Sequence, residues 1–151
     1  MSVFRERPKG AYIKEANLEE LYVLTSHWKQ DLEFYKNDLL FQKRLIDKYF
    51  IWITRDDNLE AVENIVKNIR ASQAVCKDLL KQVKLHLSAI GKLLEDKDSA
   101  DTKAFRIEHE SLEDKIAAFI KSFRKNKKEV FKITEMVIDS EQLANVVNKT
   151  Q

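Results

Sequence analysis

From Ala11 to Gln151 the chain contains no proline and a single glycine, Gly91. Those two residue types punctuate backbone structure more strongly than any others. A sheet protein needs them in its turns, so a chain almost without them is restricted to helices, and to long ones. Long helices that fold against one another must carry apolar stripes at helical spacing.

Three such stripes are present. Asn17-Leu-Glu-Glu20 is a capping-box pattern, in which Asn17 can accept from the amide at the third helical position. After it come Leu21, Thr25, Trp28, Leu32, Tyr35, Leu39, Gln42, Ile46, Tyr49 and Ile53. The steps alternate four and three, which is a heptad seam. Thr54 to Asn58 interrupts it, and Asp57 with Glu60 forms a second capping box. The second stripe is Val62, Val66, Ile69, Gln73, Cys76, Leu80, Val83, Leu87, Ile90 and Leu94, widened by Ile65, Leu79, His86 and Leu93. The acidic stretch from Glu95 to Asp101 offers Asp98, Ser99 and Asp101 as N-caps. The third stripe is Phe105, His109, Leu112, Ile116, Phe119, Phe123, Asn126, Val130, Ile133 and Val137, with a restart expected near Ser140 if the helix breaks there.

Short connections place successive helices antiparallel. The expected fold is all-α: an elongated up-down-up three-helix bundle with helices over about 17–54, 58–95 and 101–148. Residues 17–151 read as one bundle domain, and residues 1–16, with Arg5, Arg7, Lys9 and Lys14, read as a flexible basic arm. Gly91 interrupts the second helix near its end, which suggests a close helix contact or early fraying.

Composition narrows the functional classes. Charged residues are 34% and apolar residues 44% of the chain, a balance that suits amphipathic helices and not disorder. The net charge of +2 makes no general case for nucleic acid or an acidic membrane. A lone cysteine, Cys76, forms no internal disulfide and fits a reducing compartment. The N-terminus has no apolar core of signal-peptide length, and no stretch approaches the roughly 20 apolar residues of a membrane span. The expectation is a cytoplasmic protein with no membrane association.

Helix one has more apolar surface than its seam uses. Phe34, Phe41, Leu45 and Trp52 lie beside the seam and are the expected interface with a second copy or a helical partner. Three polar residues occupy seam positions. With facing positions summing to about 112 across the first turn and about 196 across the second, Gln42, Gln73 and Asn126 could share a register-fixing polar layer. The same register brings His27, His86 and His109 to one level, where three imidazoles could hold a divalent metal, with Asp31, Glu108 and Glu110 close in sequence. Paired ligands three or four apart, the usual sign of a helical metal site, are lacking.

Catalysis has little to build on. Cys76 sits in a seam, where a thiol is inert filler, and two glycines cannot make a phosphate-binding loop. The basic run Lys121, Arg124, Lys125, Lys128 and Lys132 could contact phosphates, but Glu129 and Glu135 offset it. No cofactor and no small-molecule substrate is implied. The reading is a non-enzymatic helical-bundle protein acting by protein–protein interaction or self-association. The alternatives are a small metal-binding bundle using the histidines and a nucleic-acid accessory protein using the basic run.

The segment from His27 to Leu39 resembles an uncharacterised family of small helical proteins from Bacteroidota bacteria. The matching residues are Trp28, Asp31, Leu32, Phe34, Tyr35, Lys36 and Asp38; Asn37 stands where an acidic residue is expected. The resemblance covers about one helix. It implies a bacterial cytoplasmic protein and carries no activity with it.

Overall fold

The computed structural model describes residues 17–53, 59–95 and 102–149, with side chains over 17–50, 59–95 and 102–136. The basic arm, Asp57, the proposed caps Asp98, Ser99 and Asp101, and the side chains of Trp52 and Val137 lie outside that range. The protein is an all-α three-helix bundle: α1 is Leu18–Ile53, α2 is Leu59–Glu95 and α3 is Lys103–Lys149. Among the described residues there is no strand, and no helix is long and apolar enough to cross a membrane.

The helix starts follow from local chemistry. Asn17 caps α1: its Oδ1 accepts from the Glu20 amide at 2.8 Å, and its carbonyl takes the Leu21 amide. At α3 the carbonyl of Thr102 receives the Arg106 amide at 2.9 Å, so the helix starts slightly later than the expected residue 101. The same threonine's hydroxyl accepts from Arg106 Nε. α3 does not break at Ser140; it continues to Lys149.

Gly91 marks neither a close contact nor a frayed end. A Cβ built there meets nothing within 4 Å, and α2 runs on to Glu95. Nothing in the structure explains the glycine.

The helices contribute to two compact units. The first comprises Met1–Lys36 and Val75–Ile120, the second Asn37–Ala74 and Lys121–Gln151. In the first, Leu21 packs with Ile90 and Phe105, and Leu18 and Leu93 close over them. Cys76 reaches the Leu32 carbonyl, and Tyr35 meets Phe119 edge-on. Residue numbers thus rise together in α1 and α3 and fall in α2, the up-down-up order. In the second unit, Ile46, Val62, Ile65, Ile69, Val130 and Ile133 form an aliphatic core, with Leu45, Tyr49 and Val66 against it.

Burial on α1 follows its heptad seam: every position from Leu21 to Ile46 in the stripe is buried, and no other described residue of α1 is. On α2 the buried face is turned slightly. Ile65, Ser72, Leu79 and His86 are buried, while Val66, Gln73 and Leu87, one position later in each case, are only half-buried.

Two buried threonines show how hydroxyls are accommodated in these seams. Thr25 and Thr134 donate to the carbonyls of Leu21 and Val130, four residues back in their own helices. Their polarity is satisfied without a cross-helix partner.

Candidate functional site

The first unit is centred on stacked rings. His86 of α2 and His109 of α3 are 3% and 0% exposed, and His86 Nε2 lies 2.8 Å from His109 Nδ1. The fully buried Trp28 stacks on His109 with ring centroids 4.5 Å apart. Phe105 stacks on His86 at 4.2 Å, with its plane tilted by only 8°. His109 occupies a seam position of α3, and the slight turn of the buried face of α2 carries His86, which flanks its stripe, inward.

Burial disfavours the charged form of each ring. It holds His86 below the ordinary histidine value, against the pull of Glu108. Burial, then the neighbouring His86 and Arg106, push His109 down to about 3. The pair is therefore neutral at physiological pH. One ring donates to the other, and the outer nitrogens, His86 Nδ1 and His109 Nε2, are buried without a hydrogen-bond partner.

The three histidines do not form a metal site. His27 is exposed, and among the described residues no group of three His, Cys, Asp or Glu side chains could hold a metal ion. The α2–α3 register places His86 on His109 as expected. His27 misses them because it lies off the seam of α1, between the buried Thr25 and Trp28. Asp31 is half-buried and Glu108 is exposed. Burial raises the Asp31 carboxyl, and His27 opposes that.

The polar residues of the second unit are arranged differently from the expected layer. Gln42 is buried and its amide nitrogen donates to Asp38 at 3.4 Å; its carbonyl oxygen has no partner. Asn126 is half-buried and reaches Ser72 across to α2 and Ser122 on its own helix, each at 3.5 Å. Ser72 takes the inward position because α2 is rotated away from Gln73. The strongest polar contact is one that sequence periodicity did not single out. Lys127 donates to Asp38 at 2.6 Å, and its ammonium lies 5.7 Å from the ring centres of both Phe123 and Phe131.

The expected interface residues separate in exposure. Phe34 is 63% and Phe41 53% exposed. Leu45 is half-buried and committed in part to the aliphatic core of the second unit. Phe34 also rests edge-on against Tyr35, 5.9 Å between centroids, and Tyr35 in turn contacts Phe119. An exposed ring is thus coupled to the core of the first unit by direct ring contacts.

The remaining candidates offer little chemistry. Cys76 is buried, donates to the Leu32 carbonyl at 3.3 Å and has its thiol pushed up to about 11 by burial, so it is not a nucleophile. Lys121, Arg124, Lys125, Lys128 and Lys132 all lie on the solvent side of α3. Two open grooves in the second unit, one along Ile65, Ile133 and Met136 and one along Phe50, Val62 and Val66, hold no histidine or cysteine.

No protein-family model, curated protein or solved structure matches this chain.

Proposed function

We propose that this chain is a non-enzymatic helical-bundle protein that works by protein–protein association, with the Phe34–Phe41 side of α1 as its contact surface. The observation that carries the reading is the distribution of exposed apolar side chains. Of the eleven large hydrophobic residues exposed among the described residues, six lie on α1: Tyr22, Val23, Phe34, Leu40, Phe41 and Phe50. Phe34 and Phe41 are seven residues apart and so share one side of a helix with a heptad seam.

Exposed phenylalanines in that spacing suit a helix laid alongside, from a second copy or from a helical partner. The buried histidines and thiol are packing elements in this reading, and no acid–base pair is presented to a substrate. Along the same stretch of α1, Trp28, Leu32 and Tyr35 are buried, while Phe34 is turned outward.

Light scattering across a concentration series tests self-association. The expected result is a mass above that of the 17.8 kDa chain that falls on dilution. A strict monomer throughout removes the homo-oligomer. A photo-reactive phenylalanine analogue at position 34 then tests for a partner: capture of one defined protein supports the reading, and capture of none ends it.

A further inference from the structure

We propose that His86 and His109 form an acid-sensitive latch, closing the ring packing of the first unit while both imidazoles are neutral and loosening it when either takes up a proton. A neutral imidazole has one N–H and one lone pair. The 2.8 Å contact uses one of each, whichever ring donates. The outer nitrogens then present one N–H and one lone pair, both buried and unpartnered.

A proton can enter only at that remaining lone pair or at the shared bond. Either choice places a cation between Trp28 and Phe105 with no carboxylate bonded to it. A buried charge without a partner costs far more than a buried neutral ring, and water becomes the better solvent for it.

The surrounding charges do not rescue the cation. On α3, Arg106 opposes protonation of His109, and Glu108, which favours protonation of His86, is itself exposed. Glu113, one turn beyond His109, is buried and already engaged. On α1, the titratable neighbours of Trp28 are His27, the half-buried Lys29, which adds positive charge, and Asp31, on which His27 acts. On α2, the residues one turn from His86 are Gln82, Val83, Ala89 and Ile90, none of them charged.

The sign follows from linkage. Each histidine has a folded value below its unfolded value of 6.5, so its contribution to stability is complete above pH 6.5 and is lost as the pH falls from there toward the folded value, about 3 for His109. The upper part of this window precedes the protonation of ordinary carboxylates.

Trp28 is the natural reporter because it stacks on His109. The test follows Trp28 emission in the full chain carrying Trp52→Phe, from pH 8 to pH 4, with and without His86→Leu/His109→Leu. The latch predicts a change beginning just below pH 6.5, and a midpoint lowered by about one pH unit in the double variant. His27→Gln leaves the midpoint unchanged. An unshifted midpoint in the double variant overturns the proposal. Imidazole nitrogen NMR on the unsubstituted chain covers the case in which the double variant does not fold. It is expected to show His86 and His109 staying neutral until Trp28 is released. Protonation of either buried ring with Trp28 still packed also overturns the proposal.

Discussion

The same three helices build two interiors of different chemistry. The first unit is packed by rings, with two histidines, a tryptophan and a phenylalanine in contact. The second is packed by Ile46, Val62, Ile65, Ile69, Val130 and Ile133, with an ion pair and amides beside them. In the first unit the polar atoms are enclosed and titrate near neutrality when unfolded. In the second, Lys127 and Asp38 form an ion pair, and the Lys127 side chain remains 36% exposed. The contrast shows that helical seams can enclose either titratable rings or an aliphatic core, depending on which residues are turned inward.

The largest effect that bears on this contrast is expected from Trp28→Ala. Removing a fully buried indole should cost about 3–5 kcal/mol in urea unfolding, because the rings around it cannot collapse into the space. A loss below about 1 kcal/mol would show that the ring cluster is not the core of its unit.

Acidification comes next. Between pH 7.5 and 5.5, His109 alone should remove about 1 kcal/mol of unfolding free energy, the amount an unfolded histidine gains by protonation while the folded one stays neutral. Urea titrations at the two pH values measure it. Equal stability at both would erase the distinction between the two interiors.

Lys127→Met probes the second unit. It keeps the alkyl stem near Phe123 and Phe131 but leaves Asp38 without its ammonium, and should cost about 1 kcal/mol, a value kept small by the exposure of the lysine. Urea unfolding measures it. A loss above about 3 kcal/mol would mean that the pair behaves as a buried one and not as a half-exposed one.

The smallest effect tests the helix that joins both interiors. Gly91→Ala should raise stability by about 0.5–1 kcal/mol, since the added methyl meets open space and the unfolded chain loses freedom. A loss of stability would mean that the glycine has a contact role at this position.

The helices were legible in the sequence because so little competes with them. The Asn17 cap follows from its capping-box pattern, and the α1 seam from Leu21 to Ile46 and the inward turn of His109 follow from period. The α2 seam was legible only to within one position. Ile65 and Val66, and Leu79 and Leu80, are adjacent apolar pairs, so the stripe did not decide which member lies deeper. The rotation that buries Ser72 and His86 in place of Gln73 and Leu87 is a tertiary outcome. The same limit explains the histidines. Facing positions were read well enough to bring His86 to His109, but His27 lies at that level on the wrong side of its helix. The Lys127–Asp38 pair was missed because both residues flank their seams, where a charge usually reads as solvated.

The account's functional claim rests on the exposed side of α1, and sedimentation velocity of Phe34→Ser/Phe41→Ser beside the unsubstituted chain tests it most directly. Both rings are more than half exposed, so the variant should keep its helical circular dichroism and its urea midpoint within a small margin. The unsubstituted chain should sediment as an assembly and the folded variant as a smaller species. A folded variant that sediments as the same assembly would contradict the assignment of this surface.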